Sequence, residues 1–155
     1  MPAMSTRMAE AVQHSAFPYT LDDQVGFLLR RAYQRASSNL IERIGAYDLT
    51  APQFATLARL YERGVLSQNL LGRLVAMEPA NIRDVVRRLK KRRLISTRRN
   101  PDDARLLLVS LTPAGRTLIG ELLPIETECT AKTLAALNAR ERKLLCELLS
   151  RLADS

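Results

Sequence analysis

The sequence predicts a mainly α-helical fold with one small β-hairpin, and three observations lead there. Hydrophobic residues fill 46% of the 155 positions, yet there are only three Phe, four Tyr and no Trp, so aliphatic side chains must make the core. Long helices bury such residues readily. Apolar positions recur at spacings of three and four, the period of a helix with one buried face. Only two short stretches, 94–98 and 106–111, are β-compatible, and Asn100-Pro101-Asp102-Asp103 joins them with a turn-forming composition. The length suits one domain able to bury a core without disulfides or metal.

Residues 1–15 are polar, small and aperiodic, so 1–20 reads as an N-terminal arm, mobile in the free protein. From 21 to 44, Val25, Leu28, Leu29, Ala32, Ala36, Leu40 and Ile44 form an apolar stripe interleaved with Arg30, Arg31, Arg35, Glu42 and Arg43, predicting a long amphipathic helix. Thr50 and Gln53 make a capping box for a second helix, which carries Phe54, Leu57, Ala58, Leu60 and Tyr61 to a stop at Gly64. Ser67 can cap a third helix containing Leu70, Leu71 and Leu74. Glu78-Pro79 opens a fourth, with Pro at a tolerated first-turn position. Its inner face is Ile82, Val85, Val86 and Leu89; its outer face is Asn81, Arg83, Asp84, Arg87, Arg88 and Lys91. After the hairpin, Thr112-Pro113 restarts a helix that Pro124 should kink, and Asn138 with Glu141 caps a final Leu-rich helix.

Charge is concentrated rather than general. Residues 73–105 hold eleven Arg and Lys against four acids, which leaves +7 of the chain's formal +8 in that stretch. A basic patch of this kind suits double-stranded DNA, because neutralising phosphates releases counterions and gives salt-dependent affinity for any sequence. Base contacts must then supply specificity. Arg83, Arg87 and Arg88 are candidate readers of guanine, Asn81 of adenine, and Asp84 can accept from cytosine or orient its arginine neighbours. Ser67 and Gln68, opening the preceding helix, can set register on phosphate. Lys91, with Lys90 and Arg92, fits backbone contacts or solvated charge better than base reading.

Helix, turn, basic helix and hairpin is the order of a winged helix-turn-helix. Leu94-Ile95, Arg98, Asp103-Ala104-Arg105 and Leu111-Thr112-Pro113-Ala114-Gly115 further resemble the MarR (multiple-antibiotic-resistance regulator) family, with the resemblance covering about 21–153. It implies that Asp103 orients the wing loop, that Arg105 inserts into the minor groove, and that Arg98 and Arg99 belong to the same DNA-binding wing. It also implies a transcriptional repressor with an N-terminal dimerisation helix (21–49), a winged helix-turn-helix region (50–111) and C-terminal dimerisation helices (112–155), one structural domain overall. Family members commonly have Gly where Arg93 stands. The surplus apolar surface of Leu118, Ile119, Leu122, Leu123, Leu134, Leu137, Leu144, Leu145, Leu148 and Leu149 fits a homodimer. A dimer would read a pseudo-palindromic operator with half-sites about 10 base pairs apart.

The resemblance places a small-molecule site where dimerisation helices meet the winged domain. Aromatic and cationic residues in that region are Phe17, Tyr19, Phe27, Arg30, Arg31, Tyr33, Tyr47 and Tyr61. They suit a small aromatic carboxylate, since an Arg fork bonds a carboxylate bidentately and keeps its charge when partly buried. Arg30 is the leading candidate and Arg31 the second, although Phe27 and Tyr33 equally suit the core. His14 is the single histidine and reads as a solvated arm residue or as a ligand contact. The opening helix, Leu21-Asp22-Asp23-Gln24-Val25-Gly26-Phe27-Leu28-Leu29-Arg30-Arg31-Ala32, resembles MarR-type regulators of aromatic-acid breakdown, including those for nicotinate, protocatechuate and hydroxycinnamate derivatives.

Other classes are weaker. An enzyme lacks material, with one His, no metal-ligand spacing, no Gly-rich phosphate loop and no cofactor motif. Cys129 and Cys146 read as small buried side chains suited to a reducing cytoplasm. A thiol-based redox-sensing repressor would need one of them accessible, whereas Cys146 stands among leucines. A nonspecific DNA-coating structural protein shares the same charge and stays open as an alternative. No apolar run has the length of a membrane span, and the start lacks a secretory apolar core. A cytoplasmic protein without membrane attachment is expected.

Overall fold

The computed structural model describes residues 17–155; His14 and most of the arm lie outside them. The chain divides into two compact units, Met1–Ala32 and Tyr33–Ser155. In the first, a 3-10 turn at Leu21–Asp23 precedes the helix, and Gln24 is extended at φ −81° and ψ 126°. The first helix therefore starts at Val25, the first residue of its apolar stripe and four residues later than the predicted start at 21. Gln24 Nε2 donates to the Thr20 carbonyl at 2.9 Å, closing that turn.

The helix, α1 (Val25–Ile44), continues into the second unit, where a 3-10 turn at Gly45–Tyr47 and left-handed Asp48 end it. There follow α2 (Ala51–Arg63), β1 (Leu66–Ser67), α3 (Gln68–Leu74), α4 (Pro79–Lys91), β2 (Ile95–Arg99), β3 (Leu107–Leu111), α5 (Pro113–Thr133) and α6 (Ala139–Ala153). The strands form one antiparallel sheet in the order β1-β3-β2, with Ile95 opposite Leu111 and Arg99 opposite Leu107. β1 is the element that periodicity could not show, because two residues carry no alternation. Leu66 pairs with Val109 and ties the entry of α3 to the hairpin.

The caps form as the sequence predicts. Thr50 and Gln53 make a reciprocal box at α2, as Asn138 and Glu141 do at α6. Ser67 Oγ accepts from the Leu70 amide at 3.3 Å. The core gathers Leu57, Leu60, Leu71, Ile82, Leu89, Ile95, Val109, Ile119 and Leu122, so α2, α4, the sheet and α5 share one apolar interior. Gly115 enables the closest approach: a Cβ there would lie 1.9 Å from the Leu94 carbonyl oxygen.

α5 continues through Pro124 as one helix. Ile119 and Leu122, expected among the surplus apolar surface, are fully buried within the chain, whereas Leu144, Leu148, Leu149 and Leu152 on α6 are exposed. Cys146 lies on α6 and is exposed too, contrary to expectation, because its leucine neighbours cover nothing within one chain. Cys129 is buried as expected, its Sγ donating to the Asn39 carbonyl at 3.2 Å.

Candidate nucleic-acid interface

α4 is held at both ends. Before it, α3 closes with Ala76 in the left-handed region at φ 53°, the Met77 amide donating to Gly72 O at 2.9 Å and Ala76 to Arg73 O at 3.2 Å. After it, Arg93 takes φ 59°, Leu94 N–H donates to Leu89 O at 3.1 Å and Arg93 N–H to Lys90 O at 2.9 Å. Both are Schellman closures, the motif that normally takes Gly at the left-handed position. The family's usual Gly at position 93 thus has a backbone reason. Gly72 lets the third and fourth helices approach, since an added Cβ would meet Ile82 Cγ2 at 3.0 Å.

Burial of Ile82, Val85, Val86 and Leu89 turns the remaining face outward. Arg83 reaches a cleft of about 360 Å³ that it shares with Ser67, Gln68 and Asn69 from the start of α3, and with Arg99, Arg105, Leu106 and Leu107 from the hairpin. Five of the predicted DNA-contacting residues therefore meet around one groove. On the other flank, Arg87, Arg88, Lys91 and Arg92 line a second groove with Asp48, Thr50 and Gln53. Asn81 is exposed on the first turn of α4 and joins neither groove. Arg98 is exposed on β2, but strand alternation sends it to the face opposite Arg99.

Two carboxylates organise the cations. Asp103 Oδ1 accepts from the Arg105 amide at 3.1 Å and from its Nε at 3.0 Å, while Oδ2 accepts from Nη2 at 3.1 Å. The side-chain and backbone hydrogen bonds from Arg105 hold the Asp103 carboxyl below its ordinary pKa, and the same pair raises that of Arg105. The Arg105 side chain still remains 90% exposed, so the loop aims the guanidinium without covering it. On α4, Asp84 accepts from Arg87 Nη2 through Oδ1 and from Arg88 Nε at 2.7 Å through Oδ2. Hydrogen bonds from Arg87 and then Arg88 lower the Asp84 pKa as well.

Arg92 and Lys90 have work that sequence reading missed. Arg92 donates to the carbonyls of Asp48 and Tyr47, fastening the end of α4 to the turn after α1. Lys90 Nζ donates to Thr97 Oγ1 at 2.7 Å, fastening α4 to the wing. Neither contact has a local signal, since the partners lie 44 and 7 positions away. Asn69 and Leu107 were missed too, and only the fold brings them to the cleft.

The ligand candidates divide between the units. In the first, Phe17 and Tyr19 are exposed, and Arg31 lies 5.9 Å from the Phe27 ring centroid and 3.7 Å from Asp22. Arg30 makes no ion pair among the described residues. In the second, Tyr33 is exposed, Tyr47 packs against the core, and Tyr61 carries Arg116 over its ring at 5.5 Å. Among the described residues, no three His, Cys, Asp or Glu gather to hold a metal, and no helix is long and apolar enough to cross a membrane.

A short helix, a tight turn, a basic helix and a backing hairpin define a winged helix-turn-helix transcriptional regulator. Residues 39–122 match the family Transcriptional regulator SarA/Rot. The HTH-type transcriptional repressor NicR of Pseudomonas putida is 37% identical over 138 residues, covering 89% of this chain and 87% of that protein. A probable transcriptional regulator from Pseudomonas aeruginosa superimposes with TM-score 0.80 at 49% identity, covering 86% of this chain and 99% of that one. BpsR of Bordetella bronchiseptica, whose DNA binding is regulated by 6-hydroxynicotinic acid, gives TM-score 0.85 at 39% identity, covering 90% and 99%. The chain belongs to the MarR family, in its SarA/Rot-type winged-helix form, a family of transcriptional regulators and not of enzymes.

Proposed function

We propose that this protein is a ligand-responsive, sequence-specific repressor that binds a pseudo-palindromic operator as a homodimer and is released by a small aromatic acid of the nicotinate or hydroxybenzoate type. The observation that carries the DNA-binding part is the groove where Arg83, Arg99 and Arg105 converge from helix and wing beside Ser67 and Gln68. Arg83 and Arg105 would read bases, and the start of α3 would fix register on phosphate. Lys91 and the second groove would take the flanking backbone.

The dimer is supported by α6, where Leu144, Leu148 and Leu152 recur every fourth residue and stay 44–59% exposed in the single chain. A contiguous apolar stripe of that kind favours a partner surface. The effector class is supported by likeness to NicR and to BpsR with its 6-hydroxynicotinic acid. Arg30 is the guanidinium proposed to grip the carboxylate, since Arg31 already engages Asp22 and Phe27. Release follows if the ligand favours a spacing of the two recognition helices that misfits adjacent grooves. That shift needs a ligand preference between states of roughly 10- to 10⁴-fold, or about 1.4–5.5 kcal/mol.

The test measures binding to the gene's own upstream DNA against scrambled duplex, across salt, with a panel of aromatic acids. Preference for the upstream duplex that one acid abolishes is the expected result. Equal, steeply salt-dependent binding to both, unmoved by any acid, would replace this reading with a nonspecific DNA coat. Arg30→Ala should keep operator binding but lose the acid response; an unchanged response would remove Arg30 from the site.

A further inference from the structure

We propose that Asp84 is a specificity-determining residue: by holding Arg87 and Arg88 together on the exposed face of α4, it keeps sequence-independent DNA binding weak. The inference rests on the DNA-binding reading of this face but is measured on a different quantity. Both Asp84 oxygens are engaged, one by each arginine, at positions i+3 and i+4 along the helix. All three side chains are well exposed, at 46%, 69% and 61%. Exposed pairs of this kind add little to stability, so holding the helix together does not explain the arrangement. Asp103 differs, because it also accepts a backbone amide and thereby shapes the wing loop.

The consequence is electrostatic. Arg87 and Arg88 line the groove with Lys91 and Arg92, where unpaired guanidiniums would grip the backbone of any duplex. A phosphate oxygen meets guanidiniums whose charge Asp84 partly offsets, and drawing either arginine away leaves a bare carboxylate facing the phosphates. An ordinary duplex offers nothing in return. A duplex that presents a cytosine amine to Asp84 and guanine edges to the freed arginines repairs the loss. The cluster thus taxes every sequence and refunds only some, which is how repulsion against wrong partners creates specificity.

The test uses the full chain with a random-sequence duplex, comparing Asp84→Asn with Glu62→Gln as the charge control. Glu62 pairs with Arg59 and Arg63 on α2 and lines neither basic groove, and its substitution removes one negative charge as well. Asp84→Asn should tighten random-duplex binding by about 3- to 10-fold at ~0.1 M salt and steepen the log–log salt slope by about 0.9 per added phosphate contact. The control should move affinity by less than about twofold. A change no larger than the control's, or an unaltered slope, overturns the proposal. A preferred duplex selected from a random pool by the parent protein should meanwhile lose its advantage in Asp84→Asn. Failure of the parent to enrich any duplex would sink sequence-specific recognition itself, while the random-duplex comparison would still decide the role of Asp84.

Discussion

Gly115→Ala is the substitution whose cost the structure fixes best. The new Cβ would sit 1.9 Å from Leu94 O and 2.9 Å from Leu94 C, both backbone atoms that no rotamer change can move. Restoring a carbon–oxygen separation of ~3.3 Å requires the start of α5 and the entry to β2 to part by roughly 1.4 Å. Two hydrogen bonds span that joint: Thr112 N–H to Leu94 O at 3.1 Å, and Thr112 Oγ1–H to Arg93 O at 2.7 Å. Losing them costs about 1 kcal/mol each, and overpacking adds about 1–3 kcal/mol. The better helix propensity of Ala offsets ~1 kcal/mol, leaving about 2–4 kcal/mol against a total stability of about 5–15 kcal/mol. At about 2–4 °C per kcal/mol, Tm should fall by roughly 4–16 °C. Thermal unfolding followed by circular dichroism, at matched protein concentration, reads it directly. Gly120→Ala in the same helix is the control, since no atom lies within 4 Å of a Cβ there, and it should change stability by less than about 1 kcal/mol. A Tm for Gly115→Ala indistinguishable from that of the parent would refute the packing argument.

Three further outcomes follow from the interface. Arg105→Ala should weaken binding to the preferred duplex by roughly 5- to 150-fold with helix content unchanged, and full affinity would remove Arg105 from the DNA contact. Arg93→Gly should raise Tm by up to about 6 °C, since relief of a left-handed side chain at about 1–2 kcal/mol is offset only by the added unfolded-state entropy of about 0.4–1 kcal/mol; a lower Tm would show that the Arg93 side chain is needed. The carboxyls of Asp84 and Asp103 have folded pKa values below 3.8, so their ion pairs act fully above that pH and are lost only as pH falls through the folded values. Side-chain carboxyl titration by NMR should place both midpoints under 3.8, and a midpoint at or above it would contradict the hydrogen-bonding described.

Much of this architecture was legible because its signals are local. A capping box needs only Thr50 and Gln53, the outward face of α4 needs only the spacing of Ile82, Val85, Val86 and Leu89, and the wing turn is written in Asn100-Pro101-Asp102. The departures all involve distance or context. β1 exists because β3 offers an edge to Leu66, and Arg92 becomes a clamp because the turn after α1 presents two free carbonyls. Cys146 looked buried because its neighbours are leucines, yet Leu144, Leu148 and Leu149 are themselves exposed in this chain. Arg98 and Arg99 are indistinguishable in composition, and strand alternation alone separates them.

The attachments of α4 constrain how any regulator built this way can respond. Its start is set by the left-handed closure at Ala76, its end by that at Arg93, its side by Lys90 on Thr97, and its base by Arg92 on the turn after α1. The Leu94 carbonyl then carries Thr112 and abuts Gly115, so helix, wing and the start of α5 are joined through backbone atoms. Close-packed joints of this kind do not deform gradually. Turning the basic helix alone would break several of these contacts at once, whereas moving helix, wing, the turn after α1 and the start of α5 as one body breaks none of them. The effector proposed here therefore acts most cheaply by resetting the distance between two intact reading heads. That is also why Asp84 matters: a rigid head cannot adjust to a wrong sequence, so discrimination must already be present in the charges that it carries.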